Sequence, residues 1–198
     1  MKEKILKKAV DLFLSFGFKS VTMDDIANEL AISKKTIYSH FSTKLKLVKA
    51  ATFYVFEKIN TGICTICETN QNPIEEIYSI KSLIMEQLKG EKTSPHYQLE
   101  KYYPKIFQTL KQKQFESIDT CVSGNLQRGK DLGFYRKEIN IDVITRLYYN
   151  GLMGIQNSEI FPIDIYDIAY LKDSYLEYHI RAIATEKGLK TLLNIIKK

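Results

Sequence analysis

At 198 residues and 44% hydrophobic content, the chain has enough apolar matter for one compact core or for a small domain joined to a larger one. Nine Gly, four Pro and no Trp speak against a turn-rich β architecture, no apolar run approaches membrane-spanning length, and no signal-like segment follows Met1, so a cytoplasmic all-α protein is expected. The formal charge of +6 is unevenly spread: residues 1–50 hold ten Lys against five Asp or Glu, whereas residues 51–198 are nearly balanced at nineteen to eighteen. A basic excess confined to one end is the footprint of polyanion binding.

Within that basic end, Val21 to Phe41 (VTMDDIANELAISKKTIYSHF) contains two helix-start signals. Thr22 is an N-cap whose hydroxyl accepts from a free N–H of the first turn, Asp25 answers it in a capping box, and Val21 staples onto Ile26, so a helix is predicted from about Met23. Ser33 repeats the pattern, with Ile32 and Ile37 in the stapling positions, and a second helix is predicted from about Lys34. Ala31 and Ile32 leave room only for a short turn, which is the connection of a helix-turn-helix.

The 3.6-residue period then orients the second helix. Ile37 and Phe41 form an i, i+4 apolar pair that faces the core, so Lys35, Thr36 and Ser39 occupy the opposite face and are candidates for base-edge contact. Lys34, Tyr38 and His40 flank that face, where their polar ends reach phosphate oxygens. Thr22, Ser33 and Lys44 stand at or beside helix starts, where free N–H groups and the positive end of the dipole favour phosphate. Together these nine residues are the predicted DNA-contacting set.

Beyond residue 43 the pattern stays helical. Segments are predicted over Thr43 to about Thr69, from Asn72–Pro73 to about Lys89, near Tyr97 to Leu110, Gln112 to Lys130, Ile141 to Asn157 and Tyr166 to Lys187. Gly90 closes the second of these, Glu91 to Pro95 and Leu132 to Ile141 are loops, and Gly188 separates a short final helix. Cys64 and Cys67 form a C-x-x-C within the first of these segments. The pattern reads as buried reduced thiols, with a redox pair as the alternative; no second pair completes a zinc site. His96 reads as a packed or surface histidine, and no metal site is expected. Ile144, Leu147, Tyr148, Gly151, Leu152 and Ile155 form a stripe that fits either a dimer interface or ordinary core. Twelve of the thirteen tyrosines lie beyond residue 50. Among the aromatic residues there, Tyr54, Tyr78, Tyr102, Tyr103 and Phe107 are candidates for lining an effector pocket.

No phosphate-cradling glycine loop, H-E-x-x-H or Gly-x-Ser-x-Gly is present, so no enzyme is indicated. The ordered set ILKKAVDLFLSFGF, VTMDDIANELAIS and KKTIYSHFSTKLKL, over Ile5 to Leu47, resembles the N-terminal DNA-binding domain of the tetracycline-repressor (TetR) family of bacterial transcription regulators. The likeness rests on Ala9, Phe13, Gly17, Phe18, Val21, Thr22, Ile26, Ala27, Ser33, Ile37, Tyr38, His40, Phe41 and Lys44. It implies a three-helix DNA-binding domain over residues 1–47 and a larger helical effector-binding and dimerisation domain over residues 48–198. It further implies a homodimer joined through its last two long helices as a four-helix bundle, a roughly palindromic double-stranded operator, and repression relieved by a small apolar or aromatic effector, with no cofactor. Four places depart from the family pattern: Ala31 and Lys35 replace glycines found in many members, Ser39 stands where an aromatic residue or Arg is frequent, and Lys44-Leu45-Lys46 replaces acidic residues. Two other readings remain open: a non-inducible DNA binder indifferent to sequence, and a redox-responsive regulator using Cys64 and Cys67.

Overall fold

The caps read from the sequence are built as their side chains require. In the computed structural model, which describes residues 1–88 and 95–197, the Thr22 hydroxyl accepts from the Asp25 N–H at 3.1 Å and the Asp25 carboxylate accepts from the Thr22 N–H at 2.7 Å. The Ser33 hydroxyl accepts from the Thr36 N–H at 3.0 Å. Two orphan donors at the first helix start are thereby satisfied reciprocally, and one at the second.

Among the described residues the chain forms ten helices: α1 (Lys2–Phe16), α2 (Met23–Leu30), α3 (Lys34–His40), α4 (Lys44–Glu68), α5 (Pro73–Gln87), α6 (Pro95–Tyr102), α7 (Pro104–Asp131), α8 (Ile141–Gly154), α9 (Ile168–Ile183) and α10 (Glu186–Ile196). No strand occurs among them, only an isolated bridge between Tyr135 and Ala184. The fold is all-α. The predicted end of one helix at Lys89–Gly90 and most of the predicted Glu91 to Pro95 loop lie outside the described residues.

Two helix boundaries differ from the sequence expectation. The break expected near residue 111 falls at Tyr103–Pro104, and α7 then runs through residue 111 without interruption. Pro104 has no N–H to give and disfavours helical backbone at Tyr103, yet suits the first position of a new helix. The last long helix stops at Ile183 because Thr185 caps its successor, its hydroxyl accepting from the Gly188 N–H at 3.3 Å. Gly188 is thus inside α10 and separates nothing. A Cβ there would stand 2.3 Å from the Phe134 carbonyl oxygen, so it is glycine because another backbone passes over it.

The chain divides into two compact units. The first comprises Met1–Thr61 and residues 86–112. In it α1, α2 and α3 pack on one another around Ile5, Phe13, Ile26 and Ile37, each fully buried, and Leu47 and Val48 of α4 complete that core. Leu99 of α6 and Ile106, Phe107 and Leu110 of α7 join the same cluster.

The second unit comprises Gly62–Met85 and residues 113–198. Its core gathers Ile74, Leu126, Leu176, Ile180 and Leu192 around a buried polar network. The Glu76 carboxylate, with no exposed surface, accepts from Asn125 Nδ2 at 2.8 Å and pairs with the Arg128 guanidinium. Tyr135 Oη donates to Asn125 Oδ1 at 3.0 Å, and Asn125 Nδ2 also donates to the Pro73 carbonyl at 2.8 Å. Each of these buried groups finds a partner, which is the condition under which a polar network specifies a core rather than weakening it.

Ala31 ends α2 in the left-handed region, at φ 51° and ψ 45°. An L residue with a Cβ is strained there by about 1–2 kcal/mol, and glycine is not. Ala31→Gly should therefore stabilise the first unit by about 1 kcal/mol after glycine's greater unfolded-state entropy is subtracted, raising the thermal midpoint by roughly 2–4 °C. An unchanged or lower midpoint by circular dichroism would refute this.

Candidate nucleic-acid interface

The rotation of α3 is set by Ile37 and Phe41, which are 0% and 4% exposed, and the capped start at Ser33 sets its register. With that side committed to the core, Lys34, Lys35, Tyr38, Ser39 and His40 are exposed and Thr36 is half-buried. Six of the nine predicted contact residues thus share one short helix.

Their immediate partners differ. Lys34 Nζ lies 2.7 Å from Asp24 Oδ2 of α2, and that hydrogen bond raises the ammonium pKa. Both side chains are about half exposed, so a phosphate can compete with Asp24 for this cation. Lys35 and His40 have no side-chain partner among the described residues. Thr36 Oγ1 shares a 2.8 Å hydrogen bond with Ser33 Oγ, and Ser39 Oγ donates to the Thr36 carbonyl at 2.7 Å. The polar tip of α3 is therefore ordered by its own hydroxyls before any ligand arrives.

Thr22 and Lys44 lie at the starts of α2 and α4. Thr22 is exposed and tied to Asp25, whose carboxyl is held below its ordinary pKa, chiefly by the Thr22 backbone N–H. Lys44 Nζ donates to the Lys19 carbonyl at 3.1 Å, bracing the start of α4 against the loop that precedes α2. Partial burial lowers the Lys44 pKa, and Asp25 opposes that shift.

Two contributors escaped the sequence reading. Gln98 of α6 accepts from the Lys19 N–H at 3.3 Å, and Lys19 Nζ stands 4.7 Å above the Tyr102 ring. These contacts span about eighty residues of sequence, and no local pattern announces them.

The predicted pocket aromatics fall in both units. Tyr54, Tyr102, Tyr103 and Phe107 belong to the first and Tyr78 to the second. Phe107 is buried in the core of the first unit, where Tyr103 packs against the same cluster and meets Phe18 edge-on at 6.3 Å. Tyr102 is exposed, and Tyr54 is half-buried. The Tyr78 hydroxyl is buried without a hydrogen-bond partner, and burial pushes its pKa up to about 12.

The expectation of buried thiols fails for Cys64, which is exposed; Cys67 is half-buried one turn further on. Helical spacing alone does not say which side of α4 is covered. His96 packs edge-to-face on Phe107 at 6.1 Å, and no cluster of three metal-ligating side chains occurs among the described residues. No helix among them is long and apolar enough to cross a membrane.

The stripe on α8 splits into two faces. Tyr148 and Ile155 are buried, and a Cβ on Gly151 would meet the Tyr175 ring of α9 at 2.3 Å, so the close approach at that glycine is made within the chain. Tyr175 Oη donates to the Leu147 and Tyr148 carbonyls at 3.1 and 3.0 Å. Val143 and Leu147 of α8 and Tyr170 and Tyr178 of α9 stay outside, 48–70% exposed.

A capped three-helix head with one exposed polar helix defines the helix-turn-helix class. Residues 5–51 match the family described as bacterial regulatory proteins, tetR family. The biofilm operon icaADBC HTH-type negative transcriptional regulator IcaR of Staphylococcus aureus (strain Newman) is 35% identical over 83 residues, which are 42% of this chain and 41% of that protein. The chain thus matches about two fifths of that relative's length. Among solved structures, a TetR-family transcriptional regulator from Agrobacterium tumefaciens superposes with a TM-score of 0.74 at 16% identity, covering 93% of this chain and 97% of the other. SmeT, the repressor of the Stenotrophomonas maltophilia multidrug efflux pump SmeDEF, gives 0.70 at 17% identity, covering 95% and 92%. A SmeT–triclosan complex gives 0.64 at 14% identity, covering 94% and 93%. The family match is thus confined to the N-terminal part of the chain, while the structural likenesses, at 14–17% identity, extend over nearly its whole length and show a shared all-helical fold.

Proposed function

We propose that the protein is a dimeric, cytoplasmic transcription repressor that reads a roughly palindromic operator with α3 and is released by a small apolar or aromatic effector. The observation that supports this is the rotation of α3, with Ile37 and Phe41 buried and Lys35 and Ser39 exposed; in the proposed complex Lys35, Thr36 and Ser39 face the major groove while Lys34, Tyr38, His40, Thr22, Ser33 and Lys44 flank it. Residues 1–47 serve as the reading head, and residues 48–198 carry effector binding and dimerisation. The regulatory role of IcaR, which matches this chain over its N-terminal part, supports the repressor reading.

Dimerisation is assigned to α8 and α9, whose exposed Val143, Leu147, Tyr170 and Tyr178 form an apolar face suited to a two-fold contact. SmeT has been captured with triclosan, and by analogy an apolar effector fits this chain. The unpartnered Tyr78 hydroxyl is the group best suited to orient it, since Phe107 is already committed to core packing. Release requires only that the effector bind the non-operator conformation more tightly.

Selection of bound duplexes from a random pool tests this reading. One recurring palindromic sequence is expected, and equal affinity for all duplexes would refute it. On that sequence, Lys35→Ala should lose about 1–3 kcal/mol of discrimination at one base position. Lys34→Ala should weaken all duplexes alike and lower the salt slope by about one. The reverse assignment of effects would overturn the division between base and phosphate contacts.

A further inference from the structure

The partner of Cys67 in space is not Cys64 but Cys121. Cys67 Sγ on α4 and Cys121 Sγ on α7 lie 3.4 Å apart, across 54 residues of sequence, within the second unit. Such contact leaves about 1.4 Å of closure to a disulfide bond, within reach of a small shift of two packed helices. Cys64, one helical turn before Cys67, is exposed. From this geometry we infer that Cys64, Cys67 and Cys121 form a thiol relay in which the solvent-facing thiol takes up oxidant and the internal pair stores it as a reversible disulfide between α4 and α7.

The chemistry divides the three thiols by role. Burial pushes both internal thiols up, Cys121 the more strongly, so neither is a ready nucleophile toward a dissolved oxidant. Either sulfur can donate in the contact between them, and the weaker effect of burial on Cys67 makes it the better nucleophile of the two. A hydroperoxide oxidises the Cys64 thiolate to a sulfenic acid, its O–O bond breaking and the leaving oxygen departing as water or alcohol after protonation. Cys67 sulfur then attacks Cys64 sulfur, expelling water and forming a Cys64–Cys67 disulfide. Cys121 attacks Cys67 in turn, restoring the Cys64 thiol and leaving Cys67–Cys121 bonded. With hydrogen peroxide the sum is two thiols and one peroxide giving one disulfide and two waters. A dithiol reductant reverses it. α4 also carries Lys44 at its other end, so a covalent tie at Cys67 bears on the helix that follows the reading head. This last consequence rests on the proposed DNA reading.

The test treats the reduced full-length protein with hydrogen peroxide, blocks remaining thiols with an alkylating agent, and maps the cysteines by peptide mass spectrometry. Wild type should lose two hydrogens, show Cys67 joined to Cys121, and keep Cys64 alkylated. Cys64→Ser should form the same bond at least ten-fold more slowly. Cys67→Ser should stop at a sulfenic acid on Cys64 that dimedone captures. Unmodified Cys67 and Cys121 after oxidation overturn the proposal, as does a Cys64→Ser rate equal to wild type. Duplex affinity of the oxidised protein should differ at least five-fold from the reduced form and return with a dithiol; equal affinity overturns the regulatory consequence. If the reduced protein selects no duplex at all, the DNA reading fails while the mass-spectrometric outcome still decides the relay.

Discussion

Arg128→Ala should destabilise the second unit by roughly 3–5 kcal/mol, because it strands the Glu76 carboxylate in the core without its cation. The carboxylate has no exposed surface, whereas the Arg128 side chain is 33% exposed. The guanidinium is therefore partly solvated already, and the cost of removing it falls on the buried Glu76 carboxylate. Asn125 still donates to Glu76 in the variant, but a neutral amide does not balance a buried charge. Glu76→Gln in the same background should recover much of the loss by removing the charge while keeping an oxygen for Asn125. Urea midpoints of the two single variants and the double variant form the cycle. An Arg128→Ala loss below about 1 kcal/mol, or a double variant no more stable than Arg128→Ala, would show that the pair is a solvated surface contact.

Acidification should weaken the second unit through His179. This imidazole is 6% exposed, its Nε2 has no hydrogen-bond partner, and burial holds its pKa down to about 4 from an ordinary 6.5. Its ring neighbours are the Tyr148 and Tyr175 phenols, whose ring centres lie 4.8 and 6.2 Å away; both are neutral at these pH values. Between pH 6.5 and 4 the unfolded chain binds a proton at this site and the folded chain does not, so stability falls as pH falls through that window and levels off below it. The loss amounts to about 2 kcal/mol from pH 7 to 5 and about 3 kcal/mol in full. His179→Leu removes the titration, so the difference in unfolding free energy between variant and wild type should grow in the variant's favour as pH drops. A difference independent of pH would mean that His179 titrates alike in both states.

What could be read ahead of the structure depended on how far each cause lies from its effect along the chain. The caps at Thr22 and Ser33 act on N–H groups three residues away, and Ile37 with Phe41 orients α3 across a single turn. All of that is local chemistry. Lys34, Lys35, Tyr38, Ser39 and His40 stand exposed in consequence, although their part in DNA contact awaits the duplex experiment. The misread boundaries have the opposite character. Gly188 resembles a helix stop, but it is glycine on account of Phe134, more than fifty residues earlier in the chain. Cys67 has its visible neighbour at Cys64 and its spatial neighbour at Cys121. Residues 97–110 carry ordinary helical periodicity, which records that a face is buried but not which core buries it. Pro104 is the exception, a local signal passed over because apolar spacing continues on both sides of it.

The hydroxyl bond from Ser39 to the Thr36 carbonyl bears on the operator alphabet. With its proton spent inside the helix, Ser39 would, on the proposed DNA reading, meet the groove as an acceptor and complement the exocyclic amino groups of adenine or cytosine. Lys35, which can only donate, complements O6 and N7 of guanine or O4 of thymine. Two adjacent exposed side chains of α3 thus have opposite hydrogen-bonding polarity, and a half-site that satisfies both must alternate acceptor and donor edges along the same stretch of major groove.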